Sequence, residues 1–143
     1  MFYTLEREGF TLSTDPARLQ MDAIYQFLSQ ESYWATGIAR SIVERAVQGS
    51  LCFGIYQGDR QAAFARVITD RATFAYLCDL FVLPEFRGQG LGEWLVESIL
   101  AHPELQGLRR WLLFTRDAHG LYARFGFTEL PPSKGMQIVT SYR

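Results

Sequence analysis

Along this 143-residue chain, apolar positions recur at two spacings, and the changes between them mark out strands and helices. Residues 10–14 read as a short extended run that stops at Asp15-Pro16, a helix N-cap followed by a first-turn proline. Ala17, Met21, Ile24 and Leu28 follow at helical spacing and predict a helix to about Ser29. A polar, aromatic loop over 30–37 leads to a second helix over 38–48. Ile42, Val43, Ala46 and Val47 share its inner face, and Gly49 stops it. Two apolar strands, 51–56 and 61–69, are joined as a hairpin at Gly58-Asp59, and 73–82 is a third, strongly apolar strand. A further helix opens at about Gly90, carries Leu91, Trp94, Leu95 and Ile99 on one face, and ends before Pro103. Residues 110–115 read as a strand. Asp117 can cap a short helix through Phe125 that Gly126 stops, and 127–142 holds one or two short strands. The order β-α-α-β-β-β-α-β-α-β predicts an α/β domain built on a mixed sheet. With no linker, low-complexity tract or repeat in view, the expected organisation is a single domain over 1–143.

Composition narrows the class. A chain that is 48% hydrophobic and 15% aromatic has the makings of a packed core without metal or disulfide staples. The formal charge of −1 provides no basic field for nucleic acid and no polybasic stretch for an anionic membrane. The N-terminus, Met1-Phe-Tyr-Thr-Leu-Glu-Arg7, lacks a signal peptide's apolar core, and no run approaches the length of a membrane span. Cys52 and Cys78 sit in separate apolar runs and read as buried free thiols, which points to a reducing cytoplasm. Neither nucleic acid, membrane nor metal is an expected partner.

The richest chemistry lies in Val82-Leu-Pro-Glu-Phe-Arg87-Gly88-Gln89-Gly90-Leu91-Gly92. It follows an apolar strand and opens an amphipathic helix, so its backbone N–H groups and the helix dipole converge on a place that favours an anion. Spacing excludes two phosphate loops. A Walker loop requires Gly-Lys-Ser/Thr, whereas Glu93 and Trp94 follow the last glycine here. A dinucleotide fingerprint requires a third glycine where Glu93 or Leu95 stands.

What remains is Arg-x-x-Gly-x-Gly, formed by Arg87, Gly90 and Gly92. It resembles the pyrophosphate loop of the GNAT superfamily of acyl-CoA-dependent N-acyltransferases. Cys78-Asp-Leu-Phe-Val-Leu-Pro-Glu-Phe86 before it is close to that family's strand-and-loop wording. Downstream, Ala118-His-Gly-Leu-Tyr122 and Phe125-Gly-Phe127 match the second signature, an alanine four residues before a tyrosine and then a Gly-Phe strand start. The element order is that of the family as well. The resemblance implies a mixed, mostly antiparallel sheet flanked by about four helices, with a splayed central strand pair.

It also implies roles. Residues Arg87, Gly88, Gln89, Gly90, Leu91 and Gly92 would hold the diphosphate of acetyl-CoA, with Arg87 either pairing with it or bracing the loop. Main-chain groups of Leu80, Phe81 and Val82 would meet pantetheine where their strand splays from 110–115. Ala118 belongs to the cofactor motif. Thr115 stands where many members carry Asn. Tyr122 matches the tyrosine that hydrogen-bonds the CoA sulfur and protonates the leaving thiolate; a phenol of pKa near 10 remains protonated at neutral pH. Asp79 keeps the second residue of the Glu-Asp pair found in the polyamine acetyltransferases. It would either orient or deprotonate the amine, or serve as structural partner to an arginine such as Arg66, because an unpaired carboxylate in a central strand costs several kcal/mol. Tyr33 and Trp34, in the loop bordering the acceptor site, would hold an amine or cover the core. His119 reads as a solvent-exposed helix residue.

The resulting expectation is an N-acetyltransferase that moves an acetyl group from acetyl-CoA to a primary amine, of a small molecule in the first instance, as a monomer or homodimer. A non-catalytic acyl-CoA-binding module and a protein or peptide N-acetyltransferase stand as alternatives.

Overall fold

The computed structural model describes residues 1–132 and 134–140. Six strands form one sheet in chain order: β1 (Thr4–Arg7), β2 (Phe10–Ser13), β3 (Leu51–Gln57), β4 (Arg60–Thr69), β5 (Phe74–Val82) and β6 (Arg110–Leu112). All neighbours are antiparallel except β5 and β6, which run parallel. Four α-helices cover the sheet: α1 (Met21–Gln26), α2 (Arg40–Gln48), α3 (Leu91–Leu100) and α4 (His119–Ala123). The mixed, mostly antiparallel α/β architecture expected from the sequence is the one observed.

Strand alternation divides the core into two layers. Phe53 and Ile55 of β3, Ala63, Ala65 and Val67 of β4, and Ala75 and Leu77 of β5 face α3, against Leu91, Trp94, Leu95 and Ile99. Cys52, Phe64 and Phe81 face the other way, against Ile24, Phe27, Leu28 and Val43. Burying an aliphatic side chain as completely as Leu95 or Ile99 contributes about 1.5–3 kcal/mol, so the apolar stripe of α3 fixes the helix firmly behind the Gly88–Gly92 loop.

Several boundaries differ from the sequence expectation. Asp15 does cap, accepting from the Ala17 N–H, but the turn it starts is a 3₁₀ turn over Pro16–Arg18. The first helix begins only at Met21 and widens into a π-helical turn over Phe27–Glu31, where Ser29 Oγ donates back to the Tyr25 carbonyl. β1 was not anticipated; its hairpin with β2 turns through Glu8 and Gly9, both at positive φ. Strand β6 ends at Leu112 rather than Thr115, and Asp117 does not cap α4: the helix follows Ala118 with no side-chain cap, and the Thr115 hydroxyl accepts from the Ala118 N–H just before it. No strand follows Leu112 among the described residues, so 127–140 lacks the expected strands, and 141–142 lie outside those residues.

Two irregularities build the site. Phe74, Ala75 and Tyr76 pair with Arg110, Trp111 and Leu112, and beyond them β5 continues to Val82 while β6 has ended. This is the expected splay. On its other side, β5 carries a bulge: Phe81 pairs with Phe64 and Cys78 with Arg66, so Asp79 and Leu80 together oppose Ala65. Asp79 takes φ +52°, a conformation aspartate tolerates better than most residues.

Candidate functional site

The loop after β5 is shaped by glycine where shape demands it. Gly88 and Gly90 have φ of +80° and +76°, and a methyl placed at either Cβ position would meet nothing within 4 Å. The glycines are thus required by backbone conformation, and they leave open space at the N-terminus of α3. Gly90 is the N-cap of that helix and no side chain caps it, so the first-turn N–H groups lack a side-chain acceptor. Arg87 Nε donates to the Val82 carbonyl at 3.0 Å, the bracing alternative for this residue; it also occupies one of the main-chain groups expected to meet pantetheine. Gln89 and Arg87 are exposed, and Leu91 is buried as the first core residue of α3. Uncapped helix N–H groups with open space before them are suited to a diphosphate.

Between the splayed strands lies a cleft of about 180 Å³. Leu77, Leu80 and Asp79 line it from β5, Leu113 and Thr115 from beyond β6, and Ala118 and Tyr122 from α4. Phe81 is not in it; its side chain stacks on Phe27 at 4.1 Å in the core of the opposite face. Tyr122 is 9% exposed and its ring meets Phe127 edge-on at 5.8 Å. Burial lifts its phenol to about 12, with Tyr33 adding to the rise, so it holds its proton across neutral pH. Among the described residues no protein group hydrogen-bonds its hydroxyl. The four-residue spacing from Ala118 puts both on the same side of α4, facing the cleft.

The bulge decides what Asp79 does. Before it, even-numbered residues of β5 face α2; after it, odd-numbered ones do, so Cys78 and Asp79 both border the cavity between β5 and α2. One Asp79 oxygen accepts from Trp34 Nε1 at 2.8 Å and the other from Arg66 Nε at 2.8 Å. Arg66 also donates to Ser50 Oγ, and both side chains of the ion pair are largely buried. Burial works against the Arg66 charge, but the charge and hydrogen bond of Asp79, with Cys78 and Cys52, together shift it upward. Asp79 therefore has the structural partner the sequence raised as one alternative, while still lining the cleft.

Tyr33 and Trp34 stand at the cleft mouth, each partly exposed, their rings edge-to-face at 5.0 Å. Tyr33 reaches the far wall: its hydroxyl accepts from the Arg116 N–H at 2.8 Å and the Arg116 guanidinium lies 3.9 Å over its ring. This contact spans the two sides of the splay, and nothing local in the sequence signals Arg116. Thr115, whose hydroxyl accepts from the Ala118 N–H, retains a hydroxyl proton to donate. His119 is exposed, as expected. Burial pushes both Cys52 and Cys78 up to about 12, which keeps them as thiols rather than nucleophilic thiolates at neutral pH. Among the described residues no cluster of His, Cys, Asp and Glu is arranged to hold a metal, and no helix is long and apolar enough to cross a membrane.

Comparison with known proteins places this geometry in context. Residues 48–129, which contain β3 to α4, match the family model described as an acetyltransferase (GNAT) domain. A Gibberella zeae protein named as an acetyltransferase is 33% identical, over 94% of this chain and 88% of its own length. A crystal structure of a protein assigned to the GNAT family, from Xanthomonas campestris pv. campestris, superposes with a TM-score of 0.92 at 49% identity, over 96% of this chain and 97% of that one. A GNAT acetyltransferase from Elizabethkingia anophelis with acetyl-CoA bound shares the fold at 12% identity and a TM-score of 0.65, over 87% of this chain and 80% of its own.

Proposed function

The chain belongs to the GNAT acetyltransferase family, and on that premise we propose that it transfers an acetyl group from acetyl-CoA to a primary amine, that of a small molecule in the first instance. When bound, acetyl-CoA supplies an acetyl thioester; the N–C bond forms as the C–S bond breaks, leaving an ammonium to lose a proton and a thiolate to gain one. The observation that carries the proposal is a cleft between splayed strands lined by a buried phenol without a protein partner, on a chain whose β5 leads into an uncapped helix N-terminus.

In this reading the backbone of Gly88 to Gly92 holds the diphosphate, while Arg87 keeps the loop in shape. Main-chain groups of Leu80 and its neighbours align the pantetheine arm. Tyr122 delivers its proton to the sulfur. Tyr33 and Trp34 border the amine, and the narrow cleft favours a slim acceptor. Asp79, with both oxygens engaged, acts as a positioning residue that fixes the Trp34 indole, and water carries the amine proton away.

The test is turnover of acetyl-CoA against a panel of small amines and peptide N-termini, read as released thiol. Turnover on small amines supports the proposal; turnover on peptides alone would move the acceptor class. CoA binding with no turnover on either would favour a binding module.

Asp79→Asn separates positioning from architecture. It leaves the buried Arg66 charge without its counter-ion, and breaking such a pair costs about 3 kcal/mol, roughly a 10 °C fall in Tm for a chain of this size. At temperatures where the variant stays folded, KM for the amine should rise while CoA affinity holds. A normal amine KM would restrict Asp79 to architecture.

A further inference from the structure

Of the apolar stripe of α2, only Val43 is fully buried; Ile42, Ala46 and Val47, on the same inner face, stay partly exposed. They border a cavity. About 270 Å³ lies between α2 and β5, with these residues on one side and Tyr76, Cys78 and Asp79 on the other. Ala46 stands where a longer side chain would fill the space. The volume falls just short of the roughly 300 Å³ at which sites for drug-sized ligands begin, so it is sized to a small group.

Among the described residues of its wall, the only charged groups are Arg66 and Asp79, and they are engaged with each other. Asp79 accepts from both Arg66 and Trp34, and Arg66 also donates to Ser50. Cys78, its thiol pushed up to about 12 by burial, adds no charge at neutral pH. An ammonium group placed here would find no free carboxylate, and burying it unpaired is costly, whereas an apolar group loses only its water. Trp34, Tyr76, Cys78 and Asp79 also line the cleft that holds Tyr122. The cavity thus adjoins that cleft across the Trp34–Asp79 hydrogen bond.

Resting on the acetyltransferase reading above, we infer that the acceptor is a monoamine on a short apolar tail, alkyl or phenylalkyl. Its amino group stands in the cleft beside Trp34, and its tail lies between α2 and β5. Ile42, Ala46 and Tyr76 then determine specificity, touching the tail and not the reacting atoms. Burial of the tail holds the nitrogen in place, so binding remote from the reaction serves its orientation. A tail ending in a second charge is excluded by the same wall, because its one ion pair is already closed.

Binding and turnover are read separately: an NMR titration of the full chain, following the Trp34 indole N–H and the amides of 42–47, and acetylation kinetics over an amine series. n-Hexylamine should shift those signals. Its kcat/KM should exceed that of ethylamine by about a hundredfold, or about threefold for each added methylene buried. Cadaverine, equal in length but ending in a second ammonium, should fall about a hundredfold below n-hexylamine. Ala46→Leu fills the cavity from a helical position that leucine suits, and should cut the advantage of n-hexylamine over ethylamine to below about tenfold, with CoA affinity and Tm held. Ile42→Ala enlarges the cavity and should move the optimum to n-octylamine. Signal shifts without acetylation would sustain the tail site and overturn the reaction it serves. Absence of those shifts, equal turnover of ethylamine, cadaverine and n-hexylamine, or a preference for δ-aminovalerate, whose carboxylate would meet Arg66, overturns the inference.

Discussion

Replacing Gly90 with aspartate should abolish CoA binding while leaving the fold in place. Gly90 sits at φ +76°, where a side chain costs roughly 1–2 kcal/mol, but its Cβ would project into open space and clash with nothing. Side-chain capping requires an extended backbone, which the left-handed Gly90 position does not provide, so the helix gains no cap to offset that cost. The loss to the ligand comes from charge, since the added carboxylate stands at the helix N-terminus a diphosphate needs and repels it. Two unit charges about 4 Å apart at an effective dielectric near 20 repel by about 4 kcal/mol, close to a thousandfold in Kd. Gly90→Asn imposes the same backbone cost without the charge and should lose far less. Calorimetric titration with CoA, with thermal melts as the folding control, reads both variants. Native affinity in Gly90→Asp would remove the Gly88–Gly92 loop as the anion site.

That loop is also where the sequence was most legible. Its chemistry is local: the glycines, the preceding strand and the helix behind them lie within one short stretch, and each leaves its own mark on the residue pattern. The same holds for Tyr122, which a four-residue step from Ala118 carries to the cleft side of α4. Asp79 was harder. Its face is set by a bulge whose sole trace is a pairing mismatch with β4, a partner thirteen residues away, and only the folded register makes Arg66 its counter-ion rather than a neighbour by guess. Arg116 over Tyr33 joins residues 83 apart in sequence and has no local signature.

The missed ends have one physical cause. A strand exists when its ladder does, and pairing is decided by partners rather than by propensity. β1 has ordinary residues and forms because β2 presents an edge to it; 136–140 has strongly β-prone residues and pairs with no strand among the described residues. The first helix tells a related story. Its apolar spacing was read correctly, but hydrogen bonds from Ser29 and Ser32 back to the Tyr25 and Leu28 carbonyls accompany a widened last turn, which carries Tyr33 and Trp34 to the cleft.

The sharpest test of mechanism is Tyr122→Phe. The substitution keeps the ring and its edge-on contact with Phe127, and among the described residues it breaks no protein hydrogen bond, so Tm should barely move. If this hydroxyl protonates the departing thiolate, turnover should fall by about a hundredfold, which corresponds to about 2.7 kcal/mol of lost transition-state stabilisation. CoA affinity should hardly change, because the anion site is formed by the backbone of a different element. The pH profile adds a second constraint. With its pKa pushed up to about 12, the native phenol remains protonated through the range in which free tyrosine ionises near 10. Loss of its proton therefore does not account for a decline in rate near pH 10, and an alkaline limb there belongs to another group. An acidic limb set by the amine must survive in Tyr122→Phe, because that proton leaves by a different route. Near-native turnover in the variant would leave water as the donor and reduce Tyr122 to the packing partner of Phe127.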